Sequence, residues 1–187
     1  MELKQAIYSR RAVREYTDES IPRSVLLELI DAATQAPSAV NEQPWLFSVV
    51  QDRTVLEGIS REAKAHLLRS PPPNLASHHL HELIEDPQFD IFYHAPALIV
   101  ISSSTHGDWA IENCALAAQN LMLSAYAAGL GTCWIGFAQG WLATPEGKTA
   151  LGVPPMSLPV APIIVGRPSA MPAAVARRAP LVHWIGP

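Results

Sequence analysis

Positive charge is concentrated near the start of this 187-residue chain, where Arg10, Arg11 and Arg14 fall within five residues. Guanidinium is permanently charged, and its planar fork matches the oxygens of a phosphate group. One alternative is a surface patch in which these arginines pair with the acidic residues between positions 15 and 19. The other is a binding site for a phosphate, and the density of guanidinium favours it.

A second segment, Ala36–Trp45, is small and polar, contains Pro37 and Pro44, and ends in an indole. Such a loop can lay backbone and amide donors along a planar ligand. A turn that ends a helix, with Asn41 bonding to local backbone groups, is the simpler explanation, but it gives no reason for Gln43 beside Trp45. Together the two segments predict a cofactor with both a phosphate and a ring, which would supply the chemistry.

The spacing of apolar residues, together with the prolines and glycines that end regular structure, predicts the helices and strands that must position these residues. We expect helices over 3–9, 22–36, 54–68, 78–85 and 108–128, and strands over 45–50, 96–102, 132–137 and 160–165. The result is a single α+β domain over residues 1–187, with a lid-like excursion at about 70–92 around Ser70-Pro71-Pro72-Pro73.

The predicted helix over 108–128 is apolar nearly all round, so it belongs in the centre of the fold or between two copies. No Asp, Glu, Lys or Arg occurs from Asn113 to Pro145, a length that could span a bilayer. Polar side chains interrupt this stretch, and Gly129 and Gly131 break it near its middle. We therefore expect a buried helix followed by a buried strand, and no membrane span.

The composition of the chain indicates which partners, location and kinds of site to expect. Hydrophobic residues make up 49% of the chain and charged residues 16%, which predicts apolar surface for a large interface. The net charge of −4 argues against nucleic acid as a partner. Two cysteines and a start unlike a signal peptide predict a cytoplasmic location. His78, His79 and His81 lack a second ligand pair, so we expect no metal site.

Motifs along most of the chain resemble those of the FMN-dependent nitroreductase family. They are Ser9–Arg14, Ala36–Trp45, Ala95–Val100, Ala117–Asn120, Gly129–Gly136, Val165–Pro168 and Arg177–Pro180. Their order and coverage carry the resemblance, and the stretch over about 53–90 is the exception, where little is similar. The resemblance implies a nitroreductase-like fold: a central mixed or antiparallel β-sheet flanked by helices, with the long buried helix at an intertwined dimer interface.

The resemblance also implies roles for the arginines. Arg10 should contact the FMN phosphate, and Arg178 should join it from the far end of the chain. Arg11 would reach phosphate or ribityl oxygens, and Arg14 would approach the ribityl–pyrimidine side of the flavin. Many relatives place a second cation there; Lys64 is a candidate, although an exposed helix face explains it more simply.

Ala12 stands where relatives often have a serine near the phosphate, which leaves its backbone amide as the donor. Arg177 would compensate for a lysine that some members carry one position earlier. Trp134, Ile135 and Gly136 should lie beside the flavin ring, with the glycine permitting close approach. A core strand with a glycine at a tight contact is the other interpretation of this segment.

In the family, the second segment reaches the flavin held chiefly by the other subunit, and Ser38 and Asn41 would add hydrogen bonds across the interface. Its candidate binding residues are Pro37, Ser38, Ala39, Asn41 and Gln43.

The implied activity is that of a homodimeric oxidoreductase. It would pass hydride from NADH or NADPH through FMN to a nitroaromatic, quinone or related acceptor by ping-pong kinetics, with no catalytic side chain. The alternatives are a specialised flavoenzyme of the same fold, of the reductive dehalogenase or flavin-cleaving type, and a non-catalytic FMN-binding module.

Overall fold

The computed structural model describes residues 2–71 and 78–186 and contains a four-stranded sheet. The strands are β1 (Trp45–Val50), β2 (Ala97–Ser103), β3 (Gly131–Trp134) and β4 (Leu158–Gly166), in the spatial order β1-β2-β4-β3. Every neighbouring pair is antiparallel. All seven residues of β2 are buried, because this strand lies inside the sheet and both of its faces are covered.

Seven helices and one short 3-10 turn surround the sheet in the described residues. They are α1 (Leu3–Ser9), α2 (Arg23–Thr34), the 3-10 turn (Ala39–Asn41), α3 (Arg53–Arg69), α4 (His78–Glu85), α5 (Ala110–Ala127), α6 (Gly136–Leu142) and α7 (Pro145–Leu151). Helices α2 and α5 pack together, and α3 packs on α6. The predicted α+β class is confirmed.

The alternation of β2 side chains builds one core on each face of the sheet. Ile99 and Ile101 point into a core completed by α2 and α5. Leu98 and Val100 point into a second core completed by α3, α6 and α7. Each core is dominated by aliphatic residues that are almost fully buried.

Helix α5 is the long buried helix that the sequence predicts, but its burial is incomplete. Cys114, Ala118 and Leu121 are fully buried against the sheet. On another face Ile111 is 60% exposed and Leu116 is 46% exposed. These two apolar side chains of α5 therefore face solvent in this chain, on the same side as Glu112 and Gln119. None of the helices in the described residues has the length and hydropathy needed to cross a bilayer.

The predicted strand over 132–137 is too long. It ends at Trp134, and helix α6 begins at Gly136. The reason lies in β4: the amide of Ile135 donates to the carbonyl of Pro162 at 2.8 Å, but proline has no N–H to return the bond. The ladder stops there, and the chain turns into a helix that the sequence analysis did not predict.

Helix α7 was also missed, although a signal for it was present. Thr144 caps the helix by accepting a hydrogen bond from the amide of Gly147 at 3.1 Å, and Pro145 occupies the first turn. Gly152 ends it in the left-handed conformation.

The N-terminal segment after α1 runs along the open edge of β3. Ala12 forms a parallel bridge with Thr132, and the amide of Val13 donates to the Thr132 carbonyl at 3.0 Å. The two backbones are so close that a Cβ on Gly131 would lie 2.8 Å from the Val13 side chain. Further on, Tyr16 pairs with Pro168. This segment therefore joins the start of the chain to both β3 and the end of β4.

Residues 169–186, which we call the C-terminal arm, contain no helix or strand and are exposed throughout. Leu181, Trp184 and Ile185 are 94%, 89% and 97% exposed. Within the predicted excursion at about 70–92, Ile84, Ile91 and Phe92 are buried in the second core. Residues 72–77 lie outside the described residues, and the lid-like role of 70–92 stays a prediction.

Candidate functional site

The two arginine motifs at opposite ends of the chain converge. Arg10 lies at the end of α1 and is partly buried. Burial lowers the pKa of its guanidinium, and the positive charges of Arg177 and then Arg11 lower this pKa further. A charge affects a pKa in this way only from nearby. The three side chains therefore form one group, which we call the arginine cluster (Arg10, Arg11 and Arg177).

No carboxylate forms an ion pair with the arginine cluster within residues 2–71 and 78–186. Glu19 instead pairs with Arg167 at 2.7 Å. Arg11 donates from Nη1 to the carbonyls of Tyr8 and Arg10, and its Nε is buried without a partner. A surface patch neutralised by residues 15–19 therefore does not describe this cluster, whose crowded positive charge fits a dianion such as a phosphate.

Beside this cluster lies a small cleft of about 140 Å³, which we call the Arg14 cleft. Its walls come from the N-terminal segment, the residues just before β2, and the junction between β3 and α6. It is lined by Arg14, Tyr93, Cys133, Trp134, Ile135, Gly136 and Phe137. The structure thus brings Arg14 together with the predicted 134–136 segment. Arg14 also borders a second hollow of about 320 Å³ with Ala12, Glu15 and residues 170–172 of the C-terminal arm.

Cys133 connects the arginine cluster with the Arg14 cleft. Burial raises the pKa of its thiol, whereas the charges of Arg14 and Arg10 lower it. Burial is the larger effect, so the thiol stays protonated and unreactive at neutral pH. Both arginines act on this one sulfur atom, so Arg10 and Arg14 each lie near Cys133.

The loop after α2 is held by Asn113 of α5. The amide of Ala39 donates to Asn113 Oδ1 at 2.9 Å, and the indole of Trp45 donates to the Asn113 carbonyl at 2.8 Å. Asn113 is 2% exposed, and its Nδ2 is buried with no partner in the described residues. The loop is therefore anchored on α5.

The same loop has an unusual backbone. Val40, Asn41 and Gln43 have φ of 46°, 57° and 50°, the left-handed region that L-residues seldom adopt. Ser38 Oγ accepts from the amide of Gln43 at 2.9 Å, and the Gln43 amide group donates to Asn41 Oδ1 at 2.9 Å. Neither hollow beside Arg14 is lined by any of the five predicted loop residues, which are Pro37, Ser38, Ala39, Asn41 and Gln43.

The other predicted groups are less closely associated with the cleft. Lys64 donates to the backbone carbonyls of Asp86 and Phe89 at 2.6 and 2.7 Å, and its ammonium lies 5.9 Å from the centroid of the Phe89 ring. Arg178 follows Arg177 in the exposed C-terminal arm. Within the described residues no cluster of three or more His, Cys, Asp or Glu side chains could bind a metal.

Sequence analysis missed Tyr93, Phe137 and the placement of Cys133 in the cleft. Tyr93 has no motif of its own and is distant from Arg14 in sequence, so only the folded chain brings them together. Phe137 was assigned to a strand, which hid its position at the start of α6.

A family model described as the nitroreductase family matches residues 7–167. The chain belongs to the nitroreductase family. The match covers the first two members of the arginine cluster, the loop after α2 and the β3–α6 junction, and stops before the C-terminal arm. The predicted family and its fold are confirmed.

A relative from Methanothermobacter thermautotrophicus, provisionally named an NADH dehydrogenase/NAD(P)H nitroreductase, is 32% identical over 141 residues, covering 73% of this chain and 61% of the relative. Iodotyrosine deiodinase 1 from Sus scrofa is 31% identical over 110 residues, covering 57% and 38%. The chain thus spans less than two thirds of both. A nitroreductase from Bacteroides fragilis, solved with bound FMN, is 27% identical with a TM-score of 0.87 over the full length of both chains.

Proposed function

We propose that this protein is an FMN-dependent oxidoreductase that uses NADH or NADPH. The observation that carries the proposal is the convergence of Arg10 and Arg177 in a cluster with no carboxylate partner, next to a cleft with aromatic walls. That arrangement fits a ligand with a phosphate at one end and a planar ring at the other. The FMN in the B. fragilis nitroreductase is such a ligand.

In this proposal different residues bind different parts of the flavin. The arginine cluster, with Arg178 and the Ala12 amide, would bind the phosphate. Arg14 would face the ribityl–pyrimidine side, where a positive charge stabilises the reduced flavin. Trp134, Ile135 and Gly136 would lie against the ring. Bound FMN supplies the redox chemistry, which is hydride acceptance from the nicotinamide and delivery to an organic acceptor such as a nitroaromatic or a quinone.

We further propose that the working form is a homodimer. The loop after α2 lies apart from the Arg14 cleft of its own chain, so it can complete a cleft only in a partner. Exposed apolar side chains on α1, α5 and the C-terminal arm provide the surface for such a partner; they include Ile7, Ile111, Leu116, Leu181 and Trp184. Two free, buried cysteines are consistent with a cytoplasmic location.

A second candidate, a reductive dehalogenase of the same fold, is supported by the similarity to the pig iodotyrosine deiodinase. Both activities need FMN and a reductant but differ in the acceptor. The third candidate function is that of a binding module without turnover, which would hold the flavin but would not exchange electrons with a nicotinamide.

The test begins with the visible spectrum of the purified protein after incubation with FMN and gel filtration. We expect bound flavin near one per chain, bleaching on anaerobic mixing with NADH or NADPH, and reoxidation by a nitroaromatic or a quinone. Reoxidation by an iodophenol alone would favour the dehalogenase. A flavin spectrum unchanged by either nicotinamide would indicate a binding module, and failure to retain FMN would contradict the proposal altogether.

A further inference from the structure

Arg14 stands next to an aromatic ring that the sequence analysis did not find. Its guanidinium carbon lies 5.8 Å from the centroid of the Tyr93 ring, within the range of a cation–π contact. Arg14 is itself exposed and forms no ion pair in the part of the chain that the structure describes. An exposed arginine without a carboxylate partner has many rotamers of similar energy, so a contact with a fixed ring restricts it strongly.

The ring is fixed because the backbone around it is fixed. Tyr93 and His94 both adopt left-handed conformations, with φ of 53° and 55°. Asp90 holds this turn: one carboxylate oxygen accepts from the amide of Phe92 at 3.0 Å, and the other accepts from the amide of His94 at 2.9 Å. The Asp90 carbonyl accepts from the amide of Tyr93 at 2.9 Å. Consecutive left-handed residues persist only where the surroundings impose them.

Packing restrains the side chain as well. The edge of Phe89 meets the Tyr93 ring at a centroid distance of 5.6 Å and an interplanar angle of 80°. The residues before it, Ile91 and Phe92, are buried in the second core. Burial also raises the pKa of the Tyr93 phenol, which the charge of Arg14 and a side-chain hydrogen bond with Arg14 lower in turn. The phenol is therefore neutral, and its ring is the rigid element of the contact.

We propose that Tyr93 is a positioning residue whose ring holds the guanidinium of Arg14 in the cleft, facing the Trp134–Gly136 segment. This inference rests on the proposed function, since it concerns how Arg14 meets the pyrimidine side of the flavin. A cation held in place stabilises negative charge on the reduced ring better than a mobile one, because no reorganisation is needed. Arg14 lines the cleft itself, so its position bears directly on this effect.

The test measures FMN affinity by quenching of flavin fluorescence, and the midpoint potential of the bound flavin by dye equilibration. Tyr93→Leu removes the ring, and we expect FMN to bind about two- to fivefold more weakly, with a more negative potential. Tyr93→Phe keeps the ring and should restore both values. Tyr8→Leu is the matched control, because Lys4 lies at the same 5.8 Å over Tyr8 outside the cleft, and it should change neither.

A double-mutant cycle with Arg14→Ala separates positioning from general damage to the fold. If Tyr93 acts through Arg14, Tyr93→Leu adds little once Arg14 is gone. Additive effects, an unchanged potential in Tyr93→Leu, or failure of Tyr93→Phe to restore the potential would each overturn the inference while leaving the proposed function intact. Failure of the wild-type protein to bind FMN would instead reject the proposed function.

Discussion

The guanidinium of Arg10 lies near enough to Arg177 for the second charge to lower the pKa of the first. These residues belong to opposite ends of the chain, so the fold has brought two like charges together against their repulsion. Such an arrangement is unfavourable by itself and becomes favourable when an anion binds between the two charges.

We therefore expect Arg10→Ala and Arg177→Ala each to weaken FMN binding by roughly ten- to a hundredfold, since each removes a charge-assisted hydrogen bond to the phosphate. Riboflavin, which has no phosphate, should bind equally to both variants and the wild type. Fluorescence titration measures all these affinities.

The control is Arg53→Ala, because Arg53 is an exposed arginine already paired with Glu57 at 3.2 Å and should not affect FMN. Thermal unfolding without flavin should be no less cooperative in Arg177→Ala than in the wild type. If each variant lost the same affinity for riboflavin as for FMN, the arginine cluster would not bind the phosphate.

Asn113 is the anchor of the loop after α2, and its removal leaves the Ala39 amide without its acceptor. We expect Asn113→Ala to lower the free energy of unfolding by about 1–3 kcal/mol, measured by urea denaturation. Asn120→Ala is the comparison, since Asn120 Nδ2 donates to the Ala32 carbonyl at a longer 3.3 Å and should cost less. A larger loss for Asn120→Ala would argue against the anchoring role.

Val40 is a β-branched residue in the left-handed region, which strains its backbone. Its side chain is 98% exposed, so no packing in this chain offsets that strain. Val40→Asn should raise the free energy of unfolding by about 1 kcal/mol, because asparagine tolerates this conformation. Val40→Thr keeps the branch and should give no gain. Equal denaturation midpoints for all three proteins would show that the strain is absent.

Trp184 tests the role of the C-terminal arm in assembly. Its side chain is 89% exposed, so Trp184→Ser should leave the stability of a lone chain within about 0.5 kcal/mol. If the arm packs on a second copy, the variant should dissociate at a higher protein concentration than the wild type, as measured by light scattering on a dilution series. A monomeric wild-type protein at every concentration would contradict the dimer.

The buried thiol of Cys114 predicts a loss of stability in base. Burial raises its pKa to about 12, whereas an unfolded cysteine titrates near about 8.5. Between these values the native state keeps a proton that the unfolded state releases, so the free energy of unfolding falls as pH rises, by at most about 1.4 kcal/mol per pH unit. Urea midpoints at pH 8 and pH 10.5 should therefore differ more in the wild type than in Cys114→Ala. Identical differences would show that this thiol is not responsible.

Elements with strong local signals were predicted well from the sequence. The apolar run of β2 and the prolines that flank α2 each fix an element by local chemistry, and both are confirmed. Helices α6 and α7 were missed because their glycines at 136, 140 and 147 weaken the helical pattern. The end of β3 depends on Pro162 in a different strand, which no local pattern reveals.

Some residues of the candidate site could likewise be predicted from the sequence, and others could not. The arginine motifs were found because their residue types are informative wherever they lie, and the structure brings Arg10 and Arg177 together. The contribution of Tyr93 depends on a turn held by Asp90 and on the packing of Phe89, so it exists only in the folded chain. Residue types predicted the charge in the site, and tertiary structure decides its orientation.

The bridges from Ala12 to Thr132 and from Tyr16 to Pro168 have a consequence during synthesis on the ribosome. The arginines at positions 10–14 are made well before residue 132, and until that residue has emerged their segment has no edge strand to pair with. The second attachment must wait for residue 168. Pairings between such distant positions form late. The segment with these arginines therefore stays undocked on the nascent chain until both partners have emerged, and the proposed flavin site can form only after that.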